Sequence, residues 1–222
     1  MKRKAYDGIY NQYIKRGIDF CLALVGLIIA AIPMAIVAVA IKAESKGPVI
    51  FKQDRIGYKG KVYKMYKFRS MCVGAEKGGV YSDNKDSRVT KVGKFIRATS
   101  IDELPQLVNV LKGDMALIGF RSPLTYHPWT LICFTIRKQV FTAVSAASTE
   151  EQKKMFNVRP GITGWAQVNG RKTVEWNKRI ELNGWYAEHV SFWLDVKILF
   201  MTVFKVLTNA DNENVGETVK QK

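Results

Sequence analysis

The sequence predicts an α+β fold: mostly helical, with a small β-hairpin, an N-terminal membrane helix and amphipathic helices at the lipid interface. Three observations predict it. An apolar run extends from Phe20 to Ile41, and about 22 residues at ~1.5 Å rise each match a bilayer core of roughly 30 Å. The rest of the chain is basic, with 35 Lys and Arg against 19 Asp and Glu and a formal net charge of +16. Beyond the apolar run, two short strand-like segments flank a Gly-bounded turn, and helical segments follow.

Cations flank the run on both sides, with Lys2, Arg3, Lys4, Lys15 and Arg16 before it and Lys42, Lys46, Lys52 and Arg55 after it. Loops rich in Lys and Arg favour the cytoplasmic face. A plain span puts one cluster on the disfavoured side, whereas a re-entrant segment keeps both on the same side. Pro33 supplies a hinge, because it lacks an N–H, leaves the Ile29 carbonyl unpaired and kinks a helix. The residues leave two topologies open, a re-entrant hairpin and a kinked single span. A secretory signal peptide fits less well: the run exceeds an h-region and no small-residue cleavage site precedes Lys42.

This organisation divides the chain into a membrane segment with basic flanks (1–45), a polar domain (46–208) and a polar, disordered tail (209–222). Cys21, Cys72 and Cys133 form no C-x-x-C pair, and with His127 and His189 they make no zinc pattern. Spacing of this kind suits a domain facing a reducing compartment. Anionic lipid is the natural partner for the basic charge, and a phosphate-bearing substrate is a second. No helix-turn-helix, zinc-finger or RNA-binding signature supports nucleic acid.

After Gly47-Pro48, strand-like segments Val49–Lys52 with Arg55-Ile56, and Lys61–Phe68, surround the turn at Gly57–Gly60. Gly78 to Ser87 reads as a polar loop. A helix is predicted over Val89–Ala98 despite Gly93, and a second over Pro105–Lys112, with proline at its first position and Gly113 past its end. Trp129–Phe141 mixes apolar residues with Arg137 and Lys138 and suits the bilayer interface. A loop and polar helix follow over Ala143–Lys154, loop and strand over Arg159–Arg171, and a helix over Val174–His189. Phe192–Leu207 carries Asp195, Lys197 and Lys205 at helical spacing, which predicts an amphipathic helix lying on the body or the lipid rather than a span.

The sharpest local signal is Arg97-Ala98-Thr99-Ser100-Ile101-Asp102-Glu103-Leu104-Pro105-Gln106. Ser100 and Glu103 fit a capping box, but Pro105 would then lie past the first turn and disfavours a helical Leu104. Asp102 and Glu103 are therefore placed in the turn leading into the helix. Lys67-Phe68-Arg69-Ser70-Met71 closes the hairpin with two cations, and the loop Gly119-Phe120-Arg121-Ser122-Pro123-Leu124 carries another. Carboxylates and cations beside a membrane suit a Mg²⁺-dependent reaction on a diphosphate, in which a hard cation bridges carboxylate and phosphate oxygens while Arg and Lys hold the rest.

The ordered set of motifs resembles the bacterial sugar transferase family, the monotopic phosphoglycosyl transferases. The matching pieces are the Pro-containing apolar segment, Gly47–Gly57, Lys67–Met71, Thr99–Gln106, Gly113-Asp114-Met115, Gly119–Leu124, Pro160–Arg171, Trp185-Tyr186 and Ser191–Leu199, spanning roughly residues 14 to 208. The resemblance implies transfer of sugar-1-phosphate from a UDP-sugar to a polyprenyl (undecaprenyl) phosphate with release of UMP, priming polysaccharide or glycan assembly at the cytoplasmic face of the bacterial inner membrane. It implies Asp102 as the nucleophile that becomes an aspartyl phosphosugar and Glu103 as the Mg²⁺ ligand. Lys67, Arg69, Arg97 and Arg121 become substrate-binding cations, Gln167, Asn169 and Arg171 candidates for the sugar or uridine pocket, and Pro33 the membrane hinge of a re-entrant helix. Gly161 and Gly164 read first as turn residues and Trp165 as core packing.

The chain departs from the family pattern in three places. Phe120 and Ser122 stand where the loop commonly reads Gly-Pro-Arg-Pro, Ile32 where Ser often precedes the membrane proline, and Asn183 where Asp is usual. The competing reading is a non-catalytic basic adaptor that binds anionic lipid.

Overall fold

The structure, a computed structural model, describes residues 4–75, 86–125, 150–170 and 176–208. The interfacial segment at Trp129–Phe141, the loop after Gly78, Arg171 and the C-terminal tail lie outside the described residues. A π-helical stretch, Tyr10–Ile14, leads into α1, Lys15–Glu44. The hairpin follows as β1 (Ile50–Ile56) and β2 (Val62–Phe68), antiparallel from Ile50↔Phe68 to Ile56↔Val62. Next come α2 (Lys91–Ala98), a 3₁₀ turn (Ile101–Glu103), α3 (Gln106–Lys112) and β3 (Ala116–Ile118). After α4 (Glu150–Met155), β4 (Gly161–Thr163) pairs parallel with β3, Ala116 opposite Gly161 and Ile118 opposite Thr163. The short α5 (Trp165–Val168), α6 (Trp176–His189) and α7 (Phe192–Leu207) complete it.

The α+β prediction holds, with the hairpin, α2, α3, α6 and α7 close to their expected places. β4 falls within the strand expected over Arg159–Arg171, whereas β3, its pairing with β4 and α5 were not anticipated. Their segments are too short to show a period and depend on a close approach of glycines. A Cβ on Gly119 would strike the Arg159 carbonyl, and one on Gly164 would strike the Gly119 carbonyl. Gly161 and Gly164 thus permit backbone contact between strands, a tighter role than turn formation.

α1 sets the frame. Lys15, Asp19, Ala23, Ala30, Val37 and Ile41 recur every four or seven residues along its buried face. Ala23 packs with Tyr63, Leu107 and Met115, while Val37 and Ile41 pack with Phe68 and Ile96. The opposite face carries Ile28, Ile29, Ile32, Ile36 and Val39, each 65–74% exposed. α7 repeats this inside-out pattern: Asp195 and Ile198 are buried, whereas Trp193, Phe200 and Phe204 are 68–77% exposed. Apolar surface on this scale is unfavourable in water, and α1 is long and apolar enough for a bilayer. The protein is membrane-associated.

The chain stays helical through Pro33. Pro33 lies on the exposed face, and buried Ala30 and Val37 hold the helix to the body on either side of it. Ile32 is also exposed.

Both ends of α1 are fastened to the same body. At its start, Lys15 Nζ lies 2.6 Å from Asp195 Oδ2, with both side chains under 8% exposed, and Asp19 accepts from the Leu117 amide. Asp195 also accepts from Tyr10 and Tyr186 at 2.7 and 2.6 Å. Arg16 donates to the Val110 and Leu111 carbonyls at the end of α3. At the other end, Glu44 accepts from the Lys91 and Val92 amides at the start of α2, at 2.6 and 3.0 Å. These charges complement the helix dipoles they meet.

Removing one partner of a buried pair leaves an uncompensated charge. Asp195→Ala should lower unfolding free energy by about 3–5 kcal/mol, read by denaturant titration in detergent. Asp195→Asn, which keeps an acceptor oxygen, should lose less.

Candidate active site

The turn between α2 and α3 is built by the residues around it. Thr90 caps α2 by accepting from the Gly93 amide at 2.9 Å. Gly93 lets this helix press on the Ser70 carbonyl, where any Cβ would collide. Arg97, in the last turn, then reaches Ser70 Oγ at 2.8 Å. Ser100 turns the chain in the left-handed region at φ 59° and supplies no side-chain cap, so the capping-box reading fails where Pro105 predicted it would. Asp102 and Glu103 occupy the 3₁₀ turn. Pro105 stands at the N-cap of α3, and Gly113, at φ 89°, ends the helix.

Glu103 Oε1 lies 2.6 Å from Lys67 Nζ and 3.6 Å from Arg121 Nη2. The two side chains of the closer pair are about one-fifth exposed. Asp102 sits deeper. Burial pushes its carboxyl above the ordinary aspartate range, and the charge of Glu103 pushes in the same direction. Lys67, Arg97 and Arg121 oppose that shift without cancelling it. No described residue hydrogen-bonds its carboxylate. A cavity beside the turn is lined by Arg55, Lys67, Glu103, Gln106, Arg121 and Ser122, among others.

The Gly119–Leu124 loop is held at both flanks of Arg121. Phe120 is fully buried, edge-on to Phe156 at 5.4 Å, and its carbonyl accepts from the Gly161 amide. Ser122 is buried, its hydroxyl 2.9 Å from Tyr63 Oη and its carbonyl accepting from Arg55 at 2.9 Å. Burial pushes the Tyr63 phenol up to about 12, so it stays protonated at neutral pH. Packing at Phe120 and a hydrogen bond at Ser122 thus supply the stiffness that prolines would give. Asn183, the third departure, is buried within α6.

The structure brings Asp102, Glu103, Lys67, Arg97 and Arg121 together. Arg69 is a correction. It is buried, and its guanidinium donates to the carbonyls of Ile41, Ser45 and Lys46, closing the C-terminal end of α1. β2 ends at Phe68, and Arg69 is the next residue of the chain. Gln167 and Asn169 are also absent from the cavity lining. Asn169 is exposed and donates to the Trp165 carbonyl, while the Gln167 amide is buried on α5 without a partner. Trp165 stacks on Trp185 at 5.1 Å, which is packing. Sequence reasoning missed Arg55, Tyr63 and Gln106. The period-2 pattern of β2, which puts Tyr63, Met65 and Lys67 on one face, was a signal available for Tyr63.

An aspartate whose native pKa is raised binds its proton more tightly when folded. Its ionised form therefore costs stability at neutral pH, and that cost fades as pH falls through the raised value. Asp102→Asn should raise the thermal midpoint at pH 7, and the gain over wild type should shrink on acidification, read by scanning calorimetry.

Comparison with known proteins agrees with this geometry. A family model described as bacterial sugar transferase matches residues 10–209. The chain is 41% identical over 210 residues to the uncharacterized sugar transferase EpsL of Bacillus subtilis (strain 168), covering 94% of this chain and 95% of that one. It is 40% identical over 205 residues to the UDP-glucose:undecaprenyl-phosphate glucose-1-phosphate transferase of Escherichia coli (strain K12), covering 90% of this chain and 41% of that protein. The UDP-N-acetylgalactosamine-undecaprenyl-phosphate N-acetylgalactosaminephosphotransferase of Aeromonas hydrophila is 41% identical over 202 residues, covering 88% and 44% respectively. The chain thus spans about two-fifths of the length of these two transferases. With its motifs in order along nearly the whole chain, this protein belongs to the bacterial sugar transferase family.

Proposed function

We propose that this protein transfers sugar-1-phosphate from a UDP-sugar to undecaprenyl phosphate or a similar polyprenyl phosphate, releasing UMP. The observation that carries the reading is the pair of adjacent carboxylates, one of them partly buried and hydrogen-bonded by no described residue, ringed by Lys67, Arg97 and Arg121. In the first step an Asp102 carboxylate oxygen attacks the sugar-bearing phosphorus. An O–P bond forms as the bond to the bridging oxygen breaks, and UMP leaves with that oxygen. In the second, an oxygen of the polyprenyl phosphate attacks the same phosphorus and the carboxylate departs unchanged. A covalent carboxylate divides one hard transfer into two steps, and one site serves a soluble donor and then a lipid acceptor. Lys67 and Arg121 stabilise charge on the phosphoryl oxygens, and Arg97 supports ionised Asp102.

A divalent cation belongs to this reading. Among the described residues no group of three or more His, Cys, Asp or Glu side chains gathers. Mg²⁺ fits such a sparse set, because it takes one or two carboxylates and completes its shell with phosphate and water. Glu103 would hold it, sharing the carboxylate with Lys67. When bound, the ion neutralises charge on the diphosphate.

The outward apolar faces of α1 and α7 support a location at the cytoplasmic surface of the inner membrane, with α1 entering and leaving on one side. The basic flanks of α1 would meet anionic head groups. The adaptor reading is weaker, since it assigns no task to a partly buried carboxylate that no described residue hydrogen-bonds.

Two experiments test this. Purified protein in detergent with a UDP-sugar, polyprenyl phosphate and Mg²⁺ should release UMP, and donor labelled in the sugar should mark the peptide containing Asp102. Asp102→Asn should abolish both signals; release of UDP would overturn the covalent step. For topology, Lys2→Cys and Lys46→Cys in a protein lacking its native cysteines should react with impermeant reagent from the same side. Reaction from opposite sides would establish a span.

A further inference from the structure

One group in the cavity has no task in the mechanism above. Gln106 is 3% exposed, opens α3 and lines the cavity with Lys67, Glu103 and Arg121. No described residue donates to its carboxamide or accepts from it. Asn109, one turn on, shows how this helix treats a structural amide. It is fully buried, accepts from the Tyr66 amide at 3.0 Å, and donates to the Lys64 carbonyl at 2.7 Å and to Asp114 at 3.4 Å. Two buried amides on the same short helix thus differ: one is saturated, while the other ends at a cavity.

A carboxamide that opens onto a cavity is available to a ligand, and Gln106 has two donor and two acceptor positions to offer it. Met65 and Met115, which also line the cavity, offer it nothing polar. The other side chains there indicate what is missing. Arg55, Lys67 and Arg121 only donate, which suits phosphate oxygens. Glu103 accepts, but Lys67 and Arg121 already face it. A carboxamide that both donates and accepts matches a group that does the same, which is a hydroxyl. Leu104 and Pro105 are both in the right-handed helical region, so the chain stays helical from the Asp102 turn into α3. Gln106 therefore stands one turn from Asp102 on the same side.

We propose that Gln106 is a specificity-determining residue that holds a ring hydroxyl of the sugar while its phosphate is bonded to Asp102. This rests on the transferase reading and deepens it. The hydroxyl belongs to the transferred sugar rather than to the uridine, because the sugar remains through both steps next to the residue that carries its phosphate.

The test uses full-length protein in detergent, first with a panel of UDP-sugars to find the preferred donor by UMP release. Monodeoxy analogues of that donor are then compared in wild type, Gln106→Ala and Gln106→Met, the last keeping the volume and guarding against a collapsed cavity. In wild type, removing the hydroxyl that Gln106 reads should lower kcat/KM about tenfold or more. Both variants should lose a similar factor on the parent donor and nothing further on that one analogue, while responding to the other analogues as wild type does. Equal losses on every analogue, or no loss in Gln106→Met, would overturn the assignment. If wild type releases no UMP from any UDP-sugar, the transferase reading falls, and this proposal with it.

Discussion

Arg16 and Glu44 sit near opposite ends of α1, and each closes a different helix of the catalytic face. Arg16 satisfies carbonyls at the end of α3, and Glu44 satisfies amides at the start of α2. Between those two helices lies the turn that carries Asp102 and Glu103. The membrane helix is therefore a template for the site as well as an anchor, because it sets the distance between the elements that present the carboxylates. Arg69 completes the arrangement by closing the C-terminal end of α1 itself. Helix ends buried against protein need such partners, and here a charged side chain meets each of these three ends with the sign that its dipole favours.

The same geometry explains how a strongly basic protein can keep an aspartate without a direct partner among the described residues. Lys67 spends its short contact on Glu103, and Arg97 spends one on Ser70. Asp102 feels both cations without being neutralised by a direct bond, and burial dominates its titration. A carboxylate kept this way is destabilising for the fold, a common feature of reactive sites.

Placement at the lipid follows from two inside-out helices. α7 turns its aspartate inward to the Lys15–Asp195–Tyr186 cluster and its aromatic residues outward. α1 does likewise with Lys15 and Asp19 against Ile28, Ile32 and Ile36. That buried cluster joins α1 to α7, so their apolar faces belong to one assembled body and not to a helix tethered by a linker.

What the chain alone determined is local. Twenty-two apolar residues fix an association with lipid, alternation fixes the hairpin, and Pro105 with Gly113 fixes the limits of α3 and so places Asp102 and Glu103 in the turn before it. Each follows from sterics or burial within a few residues. The tertiary structure decided which cations face that turn. Lys67, Arg69 and Arg121 look alike in sequence, yet one meets Glu103 directly, one stands beside it and one closes a helix over twenty residues away. It also decided that α1 runs on through Pro33, that Ser122 borrows stiffness from Tyr63, and that Gln106 rather than Gln167 reaches the cavity. These outcomes depend on where distant segments return. No period or propensity within one segment carries that information, because each partner is chosen by the packing of the whole.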